Sequence, residues 1–116
     1  LLEQVVFLRP LGLRLGEISK GAKIGFSPIL DKTISKKLVD VADKNNIPYQ
    51  CEIMAGRTGT NADVISVNGC GVKSALISIP EKYMHQAVEV VDLDDIKAVS
   101  DLIVAYIAER AGEMNA

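Results

Sequence analysis

The chain has 116 residues, 48% of them hydrophobic and 24% charged, with a net charge of −2. That length holds one compact domain with its own core, and not two. Mild acidity and thirteen scattered Lys and Arg leave no electrostatic footprint for nucleic acid, and charges interrupt every apolar run before it could span a bilayer.

In chain order, residues 1–20 carry only weak strand periodicity, with Leu11, Leu13 and Leu15 alternating with Gly12, Arg14 and Gly16. The apolar opening is broken by Glu3, Arg9 and Pro10, and no small-residue cleavage site follows, so a secretory leader is not read there. The chain also opens on Leu1 amid what reads as structure, and it is expected to be a piece of something longer. "AKIGF" at 22–26 predicts a strand closed by Ser27-Pro28. The stretch 31–46 is helical by period: Ile34, Leu38, Val41 and Ala42 share one face, and lysines and aspartates the other. Asp31 or Thr33 supplies the cap, and Asn45-Asn46 the stop.

"PYQCEIM" alternates Tyr49, Cys51 and Ile53 with Gln50 and Glu52 and predicts a second strand. The turn "AGRTGT" leads to Thr60, which can cap a short helix over 61–68, with Asp63 at the third position of a capping box. Gly69 and Gly71 end that helix, and "KSALISI" predicts a mostly apolar strand. A long helix is expected from Asp92 to about Arg110. Its apolar side holds Ile96, Val99, Leu102, Ile103, Tyr106 and Ile107, and Gly112 marks its end. Alternating strands and helices imply β-α-β crossovers, a mostly parallel or mixed sheet, and a three-layer α/β sandwich with helices on both faces. In such sheets chemistry collects beyond the carboxyl ends of strands.

The only histidine, His85, follows the strand ending at Pro80, with Glu89 four residues on. Two readings stand: a hydrogen-bonded loop residue, or a metal ligand or general base, since neutral imidazole suits zinc. One histidine is not a site, because zinc takes three or four ligands. "GRTGTN" has glycines where a backbone could approach a ligand, but it matches neither the Walker motif nor G-x-G-x-x-G, and an ordinary strand-to-helix turn explains it equally. Cys51 and Cys70 lack C-x-x-C spacing and are expected to be reduced core thiols of a cytosolic protein. Tyr49, Tyr83 and Tyr106 are too dispersed for a base-stacking platform and read as packing residues.

The stretch "IPYQCEIMAGRTGTNADVISVNGCGVKSALISIPEKYMHQAVEVVDLDDIKAVSDLI" resembles the carboxyl-terminal part of the dinuclear-metal aminopeptidases that form tetrahedral assemblies. The carrying motifs are Ile47-Pro48-Tyr49-Gln50, Gly56 through Asp63, and Ile79-Pro80 through Tyr83-Met84-His85 to Val88-Glu89. Roughly residues 20–108 match in order and spacing, and residues 1–20 do not. The resemblance implies part of a zinc-peptidase-like catalytic domain, taken here as one domain over 1–116. It makes His85 a ligand of one of two zinc or cobalt ions, and gives Arg57, Thr58 and Asn61 substrate-side or supporting roles. Many members carry Asp where Asn61 stands, and Lys82 replaces a usual Arg. The other ligands and the catalytic glutamate come from earlier in a chain about three times as long, and their motifs are absent here.

The implied parent is a cytoplasmic, tetrahedral homo-dodecameric aminopeptidase that acts on peptides, without nucleic-acid or membrane partners. The fragment alone is expected to be inactive. A stand-alone, non-catalytic binding module on the same fold is the alternative, which the intact mass of the natural protein separates from the first. In the peptidase reading, His85 and the "RTGTN" turn share one depression, because the strands before them end at the same sheet edge.

Overall fold

The computed structural model describes the backbone of residues 4–11, 19–82, 87–88 and 90–114, and side chains within 19–80, 87–88 and 90–114. Within these residues five strands and three helices follow in the order β1 (Gln4–Leu11), β2 (Ala22–Phe26), α1 (Lys32–Lys44), β3 (Tyr49–Ile53), α2 (Ala62–Ile65), β4 (Lys73–Lys82), β5 (Val90–Val91) and α3 (Leu93–Met114). The sheet order is β1-β4-β2-β3, with β5 added to the end of β4. The three strands expected at 22–26, 48–54 and 73–79 therefore share one sheet.

The sheet is mixed. β1 runs parallel to β4, with Gln4 opposite Lys73 and Leu11 opposite Pro80. β2 runs parallel to β3, from Ala22 opposite Tyr49 to Phe26 opposite Ile53. The two pairs join antiparallel, through Lys23 opposite Ser78 and Ile24 opposite Ile77. The chain from β2 through α1 to β3 is the expected parallel crossover. The connection from β3 to β4 reverses direction instead.

Alternation divides the sheet chemically. Ala22, Ile24, Ala75 and Ile77 face α1 and α3 and form the main core with Leu38, Val41, Val99, Leu102 and Tyr106. On the other face Leu30, Ala62 and Leu76 make a small cluster with Met54. Beside it, on the same side of the strands, Lys23, Glu52, Ser74 and Ser78 are also buried.

Local chemistry fixes the helix ends. The Asp31 carboxylate accepts from the amide of Ile34 at 2.9 Å, resolving the two candidate caps in its favour. Ser35, buried mid-helix, donates its hydroxyl to the Gly25 carbonyl at 2.8 Å and tacks α1 to β2. The helix stops where Asn46 turns to a φ of 55° and the Ile47 amide reaches back to the Ala42 carbonyl at 2.9 Å. That is a Schellman ending, and Ile47 packs into the core behind it. Gly112 does not end α3, which runs to Met114.

Three further expectations need correction. β1 was not read as a strand; Pro10 lies inside it, which an edge position tolerates, since among the described residues only one side of the strand is paired. Cys51 and Cys70 are thiols without a disulfide, but both are exposed, not core. Cys51 points to the helix side on the edge strand β3, and Cys70 lies in the turn before β4. On α3, Ile96 and Ile107 are exposed, whereas Val99, Leu102 and Tyr106 are buried. Leu13, Leu15, Tyr83, His85 and Glu89 lie outside the described residues.

Candidate functional site

The two segments singled out in the sequence leave the sheet at opposite ends. β3 and β4 are antiparallel, since β2 is parallel to one and antiparallel to the other. The turn after β3 lies beside the amino end of β4, while the His85 segment follows the carboxyl end of β4. The expectation of a shared edge is therefore not met. It assumed that every crossover was parallel, and local periodicity carries no information about strand direction.

At the first end, residues 57–63 fold around one carboxylate. Asp63 accepts from the amide of Thr58 at 2.8 Å, from the Thr58 hydroxyl at 2.8 Å and from the amide of Gly59 at 2.8 Å. Thr60 Oγ1 accepts from the Ala62 amide at 3.2 Å and lies 2.6 Å from Thr58 Oγ1. Asp63 thus reaches back past the residue that a simple capping box would use. Desolvation pushes its carboxyl upward, but the bonds from Thr58, Gly59 and Thr60 hold it below the ordinary carboxylate range. Of the three residues given substrate-side roles, Thr58 is buried and committed to this knot. Arg57 and Asn61 are exposed, and Asn61 makes no side-chain cap bond.

At the second end, β5 pairs with the last residues of β4, Glu81 opposite Val91 and Lys82 opposite Val90. Residues 83–89, with His85 among them, connect these paired ends. Just beyond, the start of α3 clasps the segment entering β2. Asp95, buried, accepts from the amides of Ser19 at 2.7 Å and Gly21 at 2.8 Å. Asp92 accepts from the Ser19 hydroxyl and from the Asp94 amide, and those bonds, Ser19's first, lower its pKa. Gly21 has a φ of 94°, and a Cβ there would stand 2.1 Å from the Pro48 carbonyl oxygen, so only glycine fits. Sequence reasoning took Asp92 only as the start of the long helix and missed this clasp, because its partner Ser19 lies in the least legible segment.

Among the described residues, no group of three or more His, Cys, Asp or Glu side chains is placed to hold a metal ion. Asp92 and Asp95 are engaged with backbone and hydroxyl donors. The described residues do not by themselves make a two-ion centre. None of the described helices is long and apolar enough to cross a membrane.

The likenesses of this chain are to aminopeptidases. It is 36% identical over 93 residues to the lysyl aminopeptidase of Pyrococcus furiosus, a match covering 80% of this chain and 27% of that protein. The solved aminopeptidase of the archaeon Desulfurococcus kamchatkensis matches at 36% identity with a TM-score of 0.73, over 80% of this chain and 28% of the other. A Pyrococcus horikoshii peptidase, described as able to assemble into a tetrahedron or a large octahedral shell, matches at 27% identity with a TM-score of 0.68. That match covers 88% of this chain and 31% of the other. The family model for M42 glutamyl aminopeptidase matches residues 12–102, and the chain belongs to that family. It spans 27% of the curated lysyl aminopeptidase, as a fragment of such an enzyme would. The α/β architecture and the aminopeptidase family expected from the resemblance both hold.

Proposed function

We propose that this chain is the carboxyl-terminal part of a two-metal aminopeptidase that removes amino-terminal residues from peptides. Its own contribution to the metal centre is His85, carried between the paired ends of β4 and β5. The observation that carries this reading is the family match over residues 12–102, a range that includes His85. The position also suits the chemistry. In α/β sheets ligands gather beyond the ends of strands, and His85 follows β4 in the chain.

In this reading the remaining ligands and the catalytic base come from outside these 116 residues, and the ions are zinc or cobalt. The intact protein works in the cytoplasm as a tetrahedral homo-dodecamer. Thr58 has a supporting role through Asp63. Arg57 and Asn61 act on the substrate side only where the peptide, or another subunit of the assembly, reaches the far end of the sheet.

The test uses the intact parent carrying His85→Ala. The expected outcome is loss of about one equivalent of bound metal by elemental analysis, together with at least a hundredfold loss of peptidase activity. The circular dichroism spectrum should not change, because no core volume is removed. Full metal content and activity in that variant would overturn the assignment. So would metal-dependent peptidase activity from the pure 116-residue chain.

A further inference from the structure

The chain has five asparagines, at 45, 46, 61, 68 and 115, and the fold treats the four described ones differently. The side-chain carbonyl of an asparagine can be attacked by the backbone nitrogen of the next residue, provided that amide is free and the space around it is open. At Asn45 both groups are committed. Its Nδ2 donates to the Val41 carbonyl at 2.8 Å, and the Asn46 amide donates to the Asp43 carbonyl at 3.3 Å. After Asn46 comes the buried, β-branched Ile47, whose amide donates to the Ala42 carbonyl at 2.9 Å. After Asn61 comes the fully buried Ala62, whose amide donates to Thr60 Oγ1 at 3.2 Å.

Asn68 is the exception. It is exposed in the turn between α2 and β4, and its backbone carbonyl accepts from the Gly71 amide at 3.0 Å. The next residue is Gly69, with a φ of 60°, and a Cβ built there would meet nothing within 4 Å. Among the described residues neither the Gly69 amide nor the Asn68 side chain has a hydrogen-bond partner. The attacking nitrogen, the target carbonyl and water can therefore meet with no hydrogen bond to break and no side chain to move.

We propose that Asn68-Gly69 is a site of spontaneous modification, at which the chain converts Asn68 to aspartate and isoaspartate. The Gly69 nitrogen, losing its proton to water, bonds to the side-chain carbonyl carbon of Asn68. The carbon–nitrogen bond of the side-chain amide breaks, and ammonia leaves. The succinimide ring so formed takes up one water. Opening at the side-chain carbonyl gives aspartate, and opening at the main-chain carbonyl gives isoaspartate, with one extra carbon in the backbone. Both products place a carboxylate where a neutral amide stood. The isoaspartate also lengthens the turn that the Val72 amide closes on the Ser66 carbonyl at 3.0 Å, directly before β4. The proposal is independent of the peptidase reading.

The experiment is peptide mapping of the intact parent, aged at neutral pH both native and unfolded in urea. Digestion under mildly acidic conditions keeps the reaction from continuing during work-up. Trypsin, cutting after Arg57 and Lys73, releases residues 58–73, so Asn61 is a control on the same peptide as Asn68. In the native protein Asn68 is expected to gain about 1 Da, roughly tenfold or more faster than Asn45, Asn46 and Asn61. Unfolding should accelerate those three and leave the rate at Asn68 within a factor of about three, because the fold already leaves it open. An aspartate-specific protease that refuses isoaspartate should cut only part of the heavier peptide at residue 68, with the Asn68→Asp variant as the fully cut standard. A native Asn68 that stays intact while it reacts in urea would overturn the proposal, since the fold would then be protecting it. Reaction at Asn45, Asn46 or Asn61 as fast as at Asn68 would overturn it as well. Aspartate as the sole product would rule out the succinimide route.

Discussion

The two faces of the sheet are built from alternate residues of the same strands, yet they solve burial differently. On the face toward α1 and α3, Ala22, Ile24, Ala75 and Ile77 meet two amphipathic helices, and the packing is apolar throughout. On the opposite face, Lys23, Glu52, Ser74 and Ser78 are as deeply buried as the core, around the small Leu30, Ala62 and Leu76 cluster. The first face draws its stability from apolar area removed from water, and the second must satisfy polar groups before it gains anything. A strand such as β4, alternating serine with aliphatic residues, therefore states which face is which.

Truncating one large side chain on each face sharpens the contrast most. Leu102→Ala opens a cavity in a core of thirteen buried residues and is expected to cost about 3–5 kcal/mol in urea unfolding. Leu76→Ala, equally buried but in a cluster of three, is expected to cost about 2–3 kcal/mol, because its neighbours collapse more readily. Equal losses would mean that the two faces are packed alike.

The polar side of the molecule should also show itself in pH. Asp63 is held below its unfolded pKa, so the stability it lends is complete above about pH 4 and is lost as pH falls through the folded value. Asp63→Asn should cost about 1 kcal/mol at neutral pH, and the gap to wild type should narrow as pH falls through the folded value and the wild-type side chain loses its charge. A gap that persists in acid would show that Asp63 acts by shape and not by charge.

The smallest effect is expected at Ser78. Its hydroxyl is buried and has no hydrogen-bond partner among the described residues. Ser78→Ala should leave stability within about 0.5 kcal/mol of wild type, or raise it. A loss above 1 kcal/mol would show that the hydroxyl has a partner the comparison of faces omits.

Elements whose residues carry their own period were legible: α1 from its apolar face and Asp31 cap, β2 and β3 from alternation, and β4 from its apolar run. β1 was not, because Arg9-Pro10 breaks its pattern and its partner lies far along the chain. Strand direction was not either, since the join of β2 to β4 is decided by tertiary packing. Cys51 was misplaced for a related reason: alternation grouped it with Tyr49 and Ile53 on one side of β3, but it could not show that β3 is the edge strand. α3 misled in the opposite way, offering more apolar residues than one face can bury. At the candidate site, the knot around Asp63 was partly visible as a capping signal. The role given to His85 came from the family pattern, since a lone imidazole after a strand carries no ligand set of its own.

Among the described residues β4 is bonded to three other strands, and their distances along the chain differ widely. Its hairpin with β5 closes within a few residues, whereas its ladder with β1 brings Gln4 to Lys73. Closing a loop of roughly seventy residues costs entropy that no local contact repays, so β1 is the natural last arrival in folding. Until it docks, one whole side of β4 presents unpaired amides and carbonyls next to an apolar face. The nascent sheet is then most open to joining the wrong chain, and the arrival of β1 closes that window.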